Sequence, residues 1–266
     1  MTTAYDRGMD ERETRGEADL SSVAKLIAEP PRAKALMALA DGRWLPASML
    51  AAEAGVAHST MSGHLARLVA GGLLTVQDHG RYRYYRLAEP SVAELVEVMA
   101  RLAPTLTISS LRAGSRARAV RRARHCYDHL GGRLAVTITG AMIRDGHLLA
   151  PDDAVVVGTD AAPAGPLDPT AVTVTPAGEA FLRRLGVSVA AGSAARCCVD
   201  WTEHRHHIAG APGRGVLAAC RERGWLVGTR HPRALRLTHE GRRCLERLFD
   251  LDLDLDLDLD PPGEGG

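Results

Sequence analysis

The chain has 266 residues, 45% of them apolar, and a formal net charge of +1; this suits one large domain or two small ones in an ordinary water-soluble globule. No apolar run approaches the roughly 20 residues of a membrane-spanning helix, and no secretory leader opens the sequence, so a cytoplasmic protein without membrane contact is expected. Seven acids and no bases follow Phe249, which leaves the body about eight charges positive and suited to a polyanion.

Residues 1–18 mix acids, arginines and small side chains and are expected to stay loose. Leu20, Val23, Ala24, Leu26 and Ile27 then form a short apolar stripe that Pro30–Pro31 stops. A second helix starts at those prolines, buries Ala35, Leu36, Leu39 and Ala40, and ends at Asp41–Gly42. A third is predicted from about Pro46 to Ala54, closed by Gly55 in the left-handed conformation. Ser59 and Thr60 are candidate caps for a fourth, which buries Met61, Leu65, Leu68 and Val69 and ends at Gly71–Gly72. Trp44, Met49, Val56 and Leu74 are expected in the core.

From Leu73 the period changes to two. Residues 73–77 and 82–87 read as strands joined by Asp78-His79-Gly80-Arg81, and a further helix runs from Ser91 to Leu102. Two helices across a tight glycine turn followed by a hairpin make a winged helix-turn-helix over 19–103.

After a linker at 104–114, Arg112 to Arg124 holds six arginines and no acid. It reads as a helix leading into Cys126–Leu130 and ended by Gly131–Gly132. A second domain spans 115–249 and carries an internal repeat. Ile143–Leu148 parallels Cys220–Leu226, and Val174–Leu185 parallels Leu237–Leu248. Each half reads helix, glycine turn, strand, strand, helix, the first with a Pro/Gly/Asp-rich surface insertion from Pro151 to Pro169. The fold class expected is mainly α with small β wings: an N-terminal winged helix-turn-helix plus a C-terminal domain of two winged-helix-like halves. The acidic tail, 250–266, repeats Leu-Asp five times and is expected to be disordered.

The fourth helix carries the functional expectation. Opposite its apolar side it presents Ser59, Thr60, Ser62, Gly63, His64 and Arg67, which are small or donor-bearing and allow close approach to base edges in a major groove. Arg67 has the fork geometry for a guanine or a phosphate. His79, Arg81 and Arg83 on the wing are placed for a backbone or minor-groove contact.

Residues 20–103 resemble the ArsR/SmtB family of dimeric winged-helix repressors. The resemblance rests on Ser59-Thr60-Met61-Ser62-Gly63-His64-Leu65-Ala66-Arg67-Leu68, on Gly72-Leu73, and on Gly80-Arg81 through Tyr85-Arg86-Leu87. It implies a homodimer formed through the first and last helices, Leu20–Ala28 and Ser91–Leu102, and a palindromic double-stranded DNA operator. The remainder is similar to a longer, actinobacterial-type branch, through Arg124-His125-Cys126-Tyr127-Asp128-His129-Leu130 and Cys198-Val199-Asp200-Trp201-Thr202-Glu203-His204, where His204 replaces an arginine. The family's thiolate site lies on the helix before the recognition helix, and here Met49–Ala54 has no cysteine. Its Asp/His/Glu site lies on the last helix, which here has Glu94 and Glu97 but no histidine.

Five cysteines, odd in number and unevenly spaced, exclude a disulfide scaffold. Cys126, Cys197, Cys198, Trp201 and His204 are the candidate effector or thiol-sensing residues, with His125, His129, His206 and His207 in the same stretches. Thiolates and imidazoles together suit zinc, copper(I) or haem. Adjacent Cys197 and Cys198 point apart in any regular element, however, and no C-x-x-C is present. No metal ligand set or cofactor is therefore assigned, and the effector stays open between a small molecule, a metal or haem, and a redox signal. Neither a hydrolase nucleophile elbow, a P-loop, a dinucleotide fingerprint nor H-E-x-x-H occurs. The expected function is thus a sequence-specific dimeric repressor released by an effector and not an enzyme, with a non-specific architectural DNA-binding protein, or behind it an enzyme in the C-terminal domain, as the alternatives.

Overall fold

The structure, a computed structural model, describes residues 17–104, 107–108, 110–150 and 171–253. The expectations for the N-terminal stretch, the insertion after Pro151 and most of the Leu-Asp tail fall outside them.

The first module runs α1 (Leu20–Ile27), α2 (Pro30–Leu39), β1 (Leu45–Pro46), α3 (Ala47–Ala54), α4 (His58–Ala70), β2 (Leu74–His79), β3 (Tyr82–Leu87) and α5 (Pro90–Leu102). Asp19 caps α1 by accepting from the Ser22 amide at 3.1 Å. Its core joins Leu36 and Leu39 of α2, Leu50 of α3, and Met61, Leu65 and Leu68 of α4 beneath an antiparallel β1-β3-β2 sheet. Gly55 closes α3 at φ +73°, a conformation that costs glycine no Cβ clash.

Several local expectations are corrected. Pro46 is not helical, because Leu45–Pro46 pairs with Tyr84–Tyr85 as β1. Ser59 and Thr60 are not caps, since α4 already begins at His58 with Ala57 before it and no side-chain cap bond. Met49 is 44% exposed, because α3 buries Ala47, Leu50, Ala51 and Ala54 and that stripe turns Met49 outward. Trp44 and Val56 are only half-buried, Trp44 with the Arg86 guanidinium 4.7 Å above its ring, whereas Leu74 is buried.

The second module comprises α6 (Leu111–Arg122), β4 (Arg124–Cys126), β5 (His129–Gly131), α7 (Arg133–Arg144), β6 (Leu148–Leu149), β7 (Ala171–Val174), α8 (Pro176–Arg184), β8 (Ala194–Val199), β9 (His206–Ile208), α9 (Gly210–Glu222), β10 (Leu226–Gly228), β11 (Leu235–Leu237) and α10 (His239–Phe249). The helix expected to run through Arg124 toward Cys126–Leu130 instead stops at Ala123, whose backbone is extended. Arg124 turns inward, and residues 124–131 form a hairpin whose turn holds Tyr127 at φ +56°.

The two halves are winged-helix-like and share the same helix cap. α7-β6-β7-α8 repeats as α9-β10-β11-α10. Thr175 and Thr238 each cap the second helix of their half, accepting from the Gly178 and Gly241 amides at 3.0 Å. Their hydroxyls donate to the Gly146 carbonyl at 2.6 Å and the Gly224 carbonyl at 3.0 Å. The sequence repeat did not include the hairpin that precedes each half, β4–β5 before α7 and β8–β9 before α9. Each hairpin packs on the other half's helix, β5 on α9 and β9 on α7, so the halves are interlocked around one core.

A Cβ at Gly178 would meet the His147 carbonyl oxygen, and one at Gly241 the Trp225 carbonyl oxygen. Neither backbone can yield without unpacking the cap. Gly178→Ala and Gly241→Ala are each expected to lower unfolding free energy by about 1–3 kcal/mol in urea titrations, despite alanine's better helix propensity.

Candidate functional site

In α4 the apolar side of Met61, Leu65 and Leu68 is anchored in the core, which turns Ser59, Thr60, Gly63 and Arg67 to solvent. Ser62 is half-buried and donates to the His58 carbonyl at 2.9 Å. His64 turns partly back, with Nδ1 3.4 Å from Nη1 of the buried Arg32. Arg32 in turn clamps the α1 C-terminus through the Leu26 and Lys25 carbonyls, so the helix angle is set from behind. Lys34 ties α2 to the end of α3 at the Ala54 carbonyl, 3.2 Å away.

The wing hairpin pairs in full register from Leu74↔Leu87 to His79↔Tyr82 across a two-residue Gly80–Arg81 turn. His79, Arg81 and Arg83 are exposed, Arg83 against Asp78 at 3.1 Å. Between α4 and the wing lies a hollow of 540 Å³ lined by Ser62, Ala66, Arg81 and Arg83, and also by Ser48, His58 and Tyr82. Those last three were not singled out from the sequence. Ser48 would have required knowing that the first turn of α3 faces the wing.

Elsewhere on the module, some apolar side chains lack cover. Leu20 of α1 is 76% exposed, and Met99 and Leu102 of α5 are 39% and 65% exposed. These lie on the two helices expected to pair in a dimer, where cover from a partner would suit them.

The second module is joined to α5 by buried charge. Glu97 of α5 pairs with Arg233, and its other oxygen lies 4.0 Å from Arg124. The Arg124 guanidinium, fully buried, is ion-paired with Asp200, donating from Nη1 at 3.2 Å and with Nη2 2.9 Å from the second oxygen, beneath the Trp201 ring, 4.7 Å away. Asp200 also accepts from the Gly132 amide at 2.6 Å, the Thr202 amide and hydroxyl at 2.9 and 2.7 Å, and the Glu203 amide at 3.1 Å. Burial raises its carboxyl, but Arg124, then His207 and these donors, outweigh burial and hold it well below the usual carboxylate range. Other arginines of the basic run are also internal ties: Arg116 to Glu53 of α3, and Arg121 to Glu203 at 2.9 Å.

Among the sensing candidates, the structure brings together Cys126 and Cys198, with His129 and His207. Their four donor atoms all lie within 4.8 Å of one another. Cys197 faces the other side of β8, into the apolar core, where burial pushes its thiol up to about 12. The Cys126 thiol, hydrogen-bonded with Cys198 and buried, is also pushed well up. Neither has the lowered pKa of a reactive sensor thiol. Trp201 stacks on Arg124, and His204 is exposed at φ +53°, so neither joins the cluster. A cleft of 550 Å³ between α5 and the two hairpins reaches it, lined by Glu94, Glu97, Cys126, His129 and Cys198 among others.

No family model matches the chain. It is 33% identical over 238 residues to the HTH-type transcriptional regulator YdfF of Bacillus subtilis, spanning 88% of this chain and 98% of that protein. It is 37% identical over 87 residues to the HTH-type transcriptional regulator CmtR of Mycobacterium tuberculosis, spanning 31% of this chain and 73% of that one. Reduced HlyU from Vibrio cholerae is similar over 32% of this chain and 88% of its own, at 26% identity and a TM-score of 0.30.

Removing one partner of a buried charge pair leaves the other uncompensated. Glu97→Ala is expected to cost about 3–5 kcal/mol in denaturant unfolding of the full chain. Glu94→Ala, which breaks only the exposed pair with Arg196, should cost under about 1 kcal/mol.

Proposed function

The chain belongs to the ArsR/SmtB family of winged helix-turn-helix transcriptional regulators, and from that premise we propose that it represses transcription in the cytoplasm as a homodimer, one α4 per protomer lying in the major groove of a palindromic operator. The family is one of DNA-binding regulators and not of enzymes. Among the described residues, no helix is long and apolar enough to cross a membrane.

The observation that carries this reading is the solvent-facing row Ser59, Thr60, Gly63 and Arg67, held rigid from behind and flanked by the basic wing across one hollow. Small side chains let the helix backbone approach, and Arg67 supplies the bidentate donor that reads guanine. Arg81 and Arg83 neutralise phosphate beside it. In a dimer through α1 and α5 the two α4 helices are related by a two-fold axis, so half-sites fall about one helical turn apart. An effector acting through the second module has a direct route to this geometry, because Glu97 of the pairing helix is bonded to Arg233.

Fluorescence anisotropy with the DNA upstream of the chain's own gene, against scrambled DNA at physiological salt, is expected to show at least a ~10³-fold preference; equal affinities would favour the architectural alternative. Arg67→Ala should weaken operator binding by about 1–3 kcal/mol. A Cβ at Gly63 meets nothing within 4 Å in the free chain. Gly63→Ala should therefore stabilise the fold by about 0.5–1 kcal/mol while weakening operator binding, a split that only a close groove approach produces. Leu102→Glu is expected to shift the dimer to monomer in light scattering.

A further inference from the structure

The four clustered donors are related by the internal repeat. The first hairpin reads Arg124-x-Cys126-x-Asp128, then His129-x-x-Gly132. The second reads Arg196-x-Cys198-x-Asp200, then His207-x-x-Gly210. In each hairpin the cysteine and histidine are direct cross-strand partners, Cys126↔His129 and Cys198↔His207. Both glycines take positive φ where the following helix begins. The loop lengths differ, two residues against six, which hides the correspondence in the linear sequence.

The distances suit one ion. Cys126 Sγ and Cys198 Sγ lie 3.8 Å apart and are unbridged, and thiolates bound at about 2.3 Å in a tetrahedron are separated by about 3.8 Å. The His129 and His207 Nε2 atoms lie 3.2 Å apart, and imidazoles bound at about 2.0 Å are separated by about 3.3 Å. Each ring's far nitrogen faces the aspartate of its own repeat, His129 Nδ1 to Asp128 at 3.0 Å and His207 Nδ1 to Asp200 at 3.8 Å. His207 is fully buried, and its Nδ1 has no hydrogen-bond partner. A carboxylate behind a ligating histidine fixes the tautomer that leaves Nε2 free for a metal. Two sulfurs and two nitrogens in a four-coordinate set suit zinc, and four donor atoms within 4.8 Å of one another leave no room for a haem between them.

We propose that Cys126, His129, Cys198 and His207 form a four-coordinate zinc site, two ligands from each half, that clamps the hairpins β4–β5 and β8–β9 together. The site is separate from the DNA-reading surface and does not depend on the reading given for it. All four ligands come from the protein, which is the closed arrangement of a structural site, and the cleft beside α5 is the path by which the ion enters.

The test uses the full chain, reduced and purified without chelator. Elemental analysis is expected to find about one zinc per chain, and cobalt(II) in its place should give thiolate-to-cobalt charge transfer together with the intense visible bands of a tetrahedral centre. Cys126→Ser and Cys198→Ser should each diminish the charge-transfer band, whereas Cys244→Ser, outside the cluster, leaves it unchanged. Asp128→Asn is expected to weaken zinc binding by about 10–100-fold, and because Asp128 is half-exposed it spares the fold. Should the cysteine variants not fold, alkylation of the unsubstituted chain followed by peptide mapping gives the same answer: zinc should protect Cys126 and Cys198 but not Cys244. A reduced chain that takes up no cobalt, a cobalt spectrum without thiolate charge transfer, or alkylation of Cys126 and Cys198 indifferent to zinc would overturn the site.

Discussion

The arrangement of the whole chain depends on one buried line of charge, from Glu97 through Arg124 to Asp200. Three ionised groups removed from water are tolerable only if each finds a partner and its remaining hydrogen-bond capacity is used. Asp200 meets that condition with four donors besides Arg124, drawn from two separate loops. Glu97 takes Arg233 at one oxygen, while its other oxygen has no hydrogen bond and answers Arg124 by charge alone, 4.0 Å away. The consequence is positional. β4, the loop after β8, the turn before β11 and helix α5 must all arrive together, or a charge is stranded in the interior.

That requirement explains why the second module is not an appendage on a flexible tether. Tyr127, at the tip of the first hairpin, lies against the backbone of Gly42 and joins the first module's core. Arg233, itself held at φ +67°, reaches both Glu97 and the Met37 carbonyl, 3.4 Å away. The helix expected to form the dimer and the module expected to respond to an effector therefore share buried contacts.

What could be read from the sequence was local. The 3.6-residue recurrence of Met61, Leu65 and Leu68, the glycine at the left-handed stop before α4, and the period-two wing around Gly80 each follow from near-neighbour chemistry, and the elements stand where those signals put them. The repeat was legible because Thr175-x-x-Gly178 and Thr238-x-x-Gly241 encode the same cap. What failed was non-local. Arg124 sat in a run of arginines that reads as a solvated helix, and only its partner 76 residues away draws it inside. Choosing between Cys197 and Cys198 required the strand register, and His207 was legible only as one of several histidines. The matching Arg-x-Cys-x-Asp segments were both quoted, but their unequal loops kept them from being aligned.

The crossed packing, in which each hairpin rests on the opposite half's helix, has a bearing on how such a chain holds a four-donor centre. Either repeat alone supplies one sulfur and one nitrogen, a pair that grips an ion weakly. Because a single polypeptide carries both, the second pair is presented at the effective concentration of a tethered neighbour and does not have to be found by diffusion. Two identical pieces meeting as separate molecules would offer the same atoms. Fusing them makes the chelate independent of how much protein is present.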